Sequence, residues 1–86
     1  MTPEQLVAAL DKLFDAEVMP NTPTAWYLVE HGLADPDPEV RDTALSVLST
    51  YVIQDVARER IARHADTELD TRLQEYCTLL LCCGWS

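Results

Sequence analysis

The chain has 86 residues, 48% of them hydrophobic, and carries 15 acidic against 6 basic side chains for a net charge of −9. That length sets a single domain, 1–86, with a thin core, and that hydrophobic share is too high for a disordered segment. The acidity argues against direct binding to DNA, RNA or an anionic membrane, which needs clustered Lys and Arg.

Thr2-Pro3-Glu4-Gln5 reads as the start of a first helix. Thr2 is the N-cap, Pro3 suits the first helical position and Gln5 completes a capping box. Leu6, Leu10, Leu13 and Phe14 share one face, with Val7 at its edge and Asp11 and Asp15 opposite. The helix is expected to end near Glu17, because Pro20 and Pro23 prevent continuation. Met19-Pro20-Asn21-Thr22 is then a loop, and Thr22 caps a second helix with Pro23 at its first position.

In that second helix Ala25, Val29 and Leu33 point inward, with Trp26 and Leu28 at the edges. Tyr27 and His31, one turn apart, point away from that face. Gly32 is expected to end the helix in the left-handed conformation that glycine tolerates best. The short acidic turn Ala34-Asp35-Pro36-Asp37-Pro38 follows. Asp37 caps a third helix whose inner stripe is Val40, Ala44, Val47, Leu48 and Tyr51, widened by Leu45 and Val52.

A break is expected at Gln54-Asp55, with Asp55 capping a fourth helix through His64; the alternative is that the third and fourth helices run on as one. Its apolar face is narrow (Ile53, Ala57, Ile61), and Arg58, Arg60 and Arg63 make it the only basic segment. Asp66 is expected to cap a fifth helix with Leu69, Leu73, Tyr76, Cys77, Leu80 and Cys83 on its inner face, ended by Gly84 before Trp85-Ser86. Aligning Asp37 with Asp66, at a spacing of 29, superposes the third and fifth helices and suggests stacked helical hairpins. Two glycines and the absence of alternating β-branched residues argue against a sheet. The fold class expected is all-α: a small five-helix antiparallel bundle.

Residues Leu28 to Leu48, with the turn Asp35-Pro36-Asp37-Pro38-Glu39-Val40-Arg41 at their centre, resemble one HEAT-type helical repeat. The resemblance covers about a quarter of the chain well and residues 54–83 loosely, since Asp70 stands where the family has Arg. It implies a helical hairpin and a protein-binding scaffold rather than catalysis. It also implies that Arg41 pairs with a loop carboxylate such as Asp35 or Asp37, fixing the turn. The chain is shorter than the usual stack of about three repeats, so it reads either as a compact bundle containing one such hairpin or as a unit that stacks on its own copy.

No phosphate-binding glycine loop, zinc-protease motif or nucleophile-elbow motif is present. Three cysteines, Cys77, Cys82 and Cys83, make no disulfide framework and suit a reducing compartment. With no signal-peptide pattern and no run of about 20 apolar residues, the expected location is cytoplasmic. No metal and no cofactor is expected. Cys77 with His64 has the residue types of a nucleophile pair, but Cys77 falls on an inner stripe, where a free thiol behaves as a small hydrophobe.

The function these features point to is a non-enzymatic protein-binding module, an inhibitor or immunity-type protein that masks a basic surface. A nuclease toxin or a nucleic-acid-binding protein has such a surface. The expected contact residues are Glu30, Asp35, Asp37, Glu39 and Asp42 around the central turn, with Tyr27 as an aromatic anchor. The alternative is an assembly role, a homodimer or oligomer joined through the ends of the helical stack. A small redox protein using Cys82 is the third reading.

Overall fold

The structure, a computed structural model, describes residues 2–16, 22–50 and 54–83. Among them are five helices and no strand: α1 (Pro3–Asp15), α2 (Pro23–Leu33), α3 (Pro38–Leu48), α4 (Gln54–Ala65) and α5 (Thr71–Cys83). The all-α expectation therefore holds. The expectations for Glu17, Pro20, Tyr51, Val52, Ile53, Gly84 and Trp85, and for the side chain of Cys83, lie outside the described residues.

The helix starts form as their sequences dictate. Thr2 and Gln5 make a reciprocal capping box, 3.1 and 3.2 Å. The Thr22 hydroxyl accepts from the Ala25 N–H, and the Asp37 carboxylate accepts from the Glu39 N–H at 2.9 Å. Pro3, Pro23 and Pro38 each sit in the first turn, where a missing N–H costs nothing.

The helices stack as two antiparallel hairpins, α2–α3 and α4–α5, with α1 packed across α2 and α3. Contacts between α3 and α5 advance together along both helices, from Arg41–Glu68 to Ser46–Tyr76. The hairpins are thus stacked in parallel register. One apolar cluster runs through both: Leu6 and Leu10, Ala25 and Val29, Val40 to Leu48, then Ala57, Ile61, Leu73 and Cys77.

Four expectations need correction. Gly32 does not end α2: the helix runs to Leu33, and its cap Ala34 is right-handed at φ −87°, ψ −5°. Gly32 is instead a close-packing position, where a Cβ would lie 2.8 Å from Ala44 Cβ and 2.9 Å from Leu10 Cδ1. The third helix stops at Leu48, with Ser49 and Thr50 in a turn, so Asp55 lies inside the first turn of α4 rather than at its cap. Phe14, assigned to the core, is 45% exposed.

The fourth correction concerns α5. Its cap is Asp70, whose carboxylate accepts from the N–H groups of Arg72 and Leu73 at 2.8 and 3.3 Å. Asp66 lies in the preceding turn, and Leu69 is 92% exposed. The repeat therefore has a different register. Asp35 accepts from the N–H of Asp37, Glu68 from that of Asp70, and both turns then cap a helix. Arg41 donates to the Asp35 carbonyl as Gln74 donates to the Glu68 carbonyl. Each residue of the second turn follows its counterpart by 33 positions (Asp35 and Glu68, Asp37 and Asp70, Arg41 and Gln74).

Two pairs of substitutions check the Gly32 packing and the α5 cap. Gly32→Ala gains helix propensity worth about 1 kcal/mol, but overpacking against a short, rigid alanine costs about 1–3 kcal/mol. Urea unfolding is expected to show net destabilisation, relieved in part by adding Ala44→Gly. Asp70→Ala is expected to lose about 1 kcal/mol and Asp66→Ala close to none; equal losses would contradict the assigned cap.

Candidate functional site

The polar centre of the molecule is a buried carboxylate. The Glu68 side chain has no exposed surface. Its Oε1 accepts from Arg41 Nε at 2.9 Å and lies 2.7 Å from His64 Nε2; its Oε2 accepts from the Asp70 N–H at 3.0 Å. An ionised carboxylate only accepts, so His64 Nε2 is the donor. Burial by itself would raise the Glu68 pKa. The hydrogen bonds from Arg41, Asp70 and His64, with the Arg41 charge, outweigh it and hold the group at about 2.

Arg41 does not pair with the carboxylate of Asp35 or Asp37. Those carboxylates are occupied by the N–H groups of Asp37 and Glu39. The guanidinium instead takes the carbonyl oxygens of Asp35 and Pro36 through Nη1, both at 2.9 Å, and extends Nε to Glu68. One side chain thus fastens its own turn and joins it to the next.

The six expected contact residues do not form one patch. Tyr27 is 59% exposed on α2 and stacks on His31, ring centroids 4.3 Å apart at 48°. Glu30 is ion-paired with Arg60, whose guanidinium lies 5.7 Å from the Trp26 ring centroid. Pro23, Trp26, Tyr27, Glu30, His31 and Arg60 line an open groove of about 490 Å³. Asp37 and Glu39 line a different cleft of about 260 Å³, together with Pro3, Glu4, Val7 and Val40. Asp35 is half-buried in the turn joining α2 to α3, and Asp42 is half-buried on α3, its carbonyl accepting from the Ser46 hydroxyl.

Sequence reasoning missed Glu4, Val7 and Arg60, because each reaches its surface from a distant part of the chain. Nothing local marks them, apart from the place of Arg60 in the one basic run. The cleft's lining combines apolar residues (Pro3, Val7, Val40) with acidic ones (Glu4, Asp37, Glu39). It lies where the first turns of α1 and α3 come side by side. Among the described residues, the ion pairs use Glu30, Glu59 and Glu68, and none involves Glu4, Asp37, Glu39 or Asp42.

The Cys77 thiol gives little reactive chemistry. Cys77 is fully buried, and burial, followed by the nearby Glu68 charge, pushes its thiol up to about 11. It is protonated at neutral pH, and a thiol rather than a thiolate is a poor nucleophile. The ring nitrogen Nε2 of His64 is engaged by Glu68. Cys82 is exposed. Among the described residues no three His, Cys, Asp or Glu side chains converge as metal ligands, and no helix is long and apolar enough to cross a membrane. No protein-family model, no curated protein and no solved structure matches this chain.

The depressed Glu68 pKa fixes a pH dependence. The folded value lies below the ordinary value of 4.5, so its stabilisation is complete above pH about 4.5 and is lost as pH falls toward 2. Glu68→Gln leaves Arg41 with no buried charge to meet and is expected to cost about 3 kcal/mol or more at pH 7. The cost should shrink as pH falls toward 2, where the two proteins converge. A mutant penalty independent of pH would contradict the assignment.

Proposed function

We propose that this chain is a non-enzymatic protein-binding module whose acidic face masks a basic surface on another protein, as an inhibitor or immunity-type protein does. The observation that carries the reading is the cleft between α1 and α3. Its acidic residues Glu4, Asp37 and Glu39 have no ion-pair partner among the described residues, and Pro3, Val7 and Val40 complete its lining. Apolar surface bordered by polar groups is a common anatomy of protein interfaces. The surrounding net charge of −9 adds long-range attraction for a basic partner. A nuclease toxin or another nucleic-acid-binding protein has the required surface. The HEAT-type resemblance of residues 28–48 supports a binding role in the same direction.

Tyr27, stacked on His31 beside the Glu30–Arg60 pair, belongs in this reading to a second contact area. A partner that spans the Asp35–Asp37 turn reaches both. The contact set is therefore Tyr27 and Glu30 on one side, Glu4, Asp37 and Glu39 on the other, with Asp35 and Asp42 beside the turn.

A second reading rests on a different surface. The outward stripe of α5 carries Leu79, 61% exposed, in a hollow of about 510 Å³ with Thr71, Gln74, Glu75 and Thr78. Self-association through this stripe would make a homodimer.

The two readings separate in one set of measurements. Masking predicts a heteromeric complex whose association rate falls about tenfold or more between roughly 0.05 and 0.5 M salt. Glu4→Lys with Glu39→Lys should slow association further while leaving the fold intact. Self-association predicts a solution mass that is a multiple of 9.7 kDa and insensitive to salt. A heteromeric complex whose association rate ignores salt would overturn masking.

A further inference from the structure

We infer that the outward face of α5 is a docking site for a basic amphipathic helix of another protein, laid parallel to α5. This face is apart from the α1–α3 cleft, and its occupancy is independent of masking.

The third and fifth helices present the same face, and only that of α3 is covered. The hollow of about 510 Å³ on α5 is lined by Thr71, Gln74, Glu75, Thr78 and Leu79. At the repeat spacing of 33 residues these correspond to Pro38, Arg41, Asp42, Leu45 and Ser46 of α3. That stripe of α3 receives the next hairpin: Arg41 Nε donates to Glu68 at 2.9 Å, and the Ser46 and Tyr76 hydroxyls lie 3.0 Å apart. Leu45 has no exposed surface, and its four companions are half-buried. Their counterparts on α5 are all exposed, Leu79 at 61%. The inner stripes show no such difference. Val40 and Leu73 are each 1% exposed, and Ala44 and Cys77 each 0%. The register is therefore the same in both helices, and what differs is the neighbour. The face by which α3 accepts α5 is repeated on α5 and lies open.

The internal step also specifies the occupant. From Arg41–Glu68 to Ser46–Tyr76 the contacts advance along both helices in the same direction, so a helix docked in the same way runs parallel to α5. Leu79 stands where α3 has Ser46, so an apolar residue faces it in place of the Tyr76 hydroxyl. Gln74 stands where α3 has Arg41, and its Nε2 already donates to the Glu68 carbonyl, so no carboxylate is required opposite it. Glu75 has no ion pair among the described residues. With a net charge of −9 around it, Glu75 draws lysine or arginine to the margin of the incoming helix. A second copy of this chain meets the opposite condition, −9 against −9 with Glu75 on both sides. A helix with one apolar stripe and basic flanks lays residues i, i+3, i+4 and i+7 into such a face.

The test uses the intact chain and two leucine–lysine peptides of one composition, one with leucines at the three- and four-residue spacing of an amphipathic helix and one scrambled. Binding is followed by calorimetry and amide NMR shifts. The expected result is tighter binding of the amphipathic peptide by about tenfold or more, with the largest shifts at Thr71, Gln74, Thr78 and Leu79. Leu79→Gln, at an exposed position, should weaken it about tenfold, whereas Glu4→Gln with Glu39→Gln should change it less than about twofold. A nitroxide at the N-terminal end of the peptide should broaden the Thr71 amide, and one at its C-terminal end that of Cys82. Equal binding of the two peptides, failure of both to bind, shifts confined to other helices, or the reversed broadening pattern would overturn the proposal. So would a solution mass of twice 9.7 kDa that Leu79→Gln returns to 9.7 kDa, which would assign the face to a second copy.

Discussion

Arg41 and His64 donate to one oxygen of Glu68, a carboxylate with no exposed surface, and the remaining oxygen is held by the chain's own backbone. An ion pair so placed gains little over a well-packed apolar contact, but removing one partner strands the other in a medium that solvates it poorly. Its consequence is therefore specificity of arrangement. The two hairpins meet through fewer close backbone approaches than the helices within each hairpin. The apolar residues between them, with Ala57, Ile61, Leu73 and Cys77 on one side, supply attraction without direction. Arg41 supplies the direction, because it must satisfy two carbonyls of its own turn and a carboxylate of the next.

That joint also explains how the charge is distributed. Arg41 is taken up internally, and Arg60 and Arg63 are paired with Glu30 and Glu59 on the α2–α4 side. The acids at the starts of α1 and α3 are left to face solvent, where they also complement their helix dipoles. A surface of this kind arises from the stacking itself. The first turns of α1 and α3 bring Glu4, Asp37 and Glu39 to one cleft.

Much of the fold was legible from the sequence. Thr2-Pro3, Thr22-Pro23 and Asp37-Pro38 carry the start of a helix in adjacent residues, so α1, α2 and α3 begin where expected. The core positions Leu6, Leu10, Val29, Val40, Ala44 and Ile61 followed from helical spacing. The failures have a common cause. Asp66 and Asp70 are equally good caps in isolation, and the choice is made by Glu68, whose burial depends on Arg41 27 residues earlier. Gly32 looked like a terminator because glycine favours that role, whereas its actual constraint is the approach of Ala44 and Leu10 from other helices. The candidate site was legible only in part. Its acids were found by local charge, but Tyr27 with Glu30 and Asp37 with Glu39 line separate surfaces, and Glu4 and Val7 join the second only in three dimensions.

The claim that the acidic edge of α1 and α3 meets a basic protein is tested most directly by zero-length carbodiimide cross-linking of the native complex, with mass mapping of the joined peptides. Such a reagent joins a carboxylate only to an amine already in contact with it. The account predicts bonds from Glu4, Asp37 and Glu39 to lysines on the partner's basic surface. Bonds confined to Asp55, Glu59 or Glu75 on the α4–α5 side, with none from the α1–α3 edge, would contradict it.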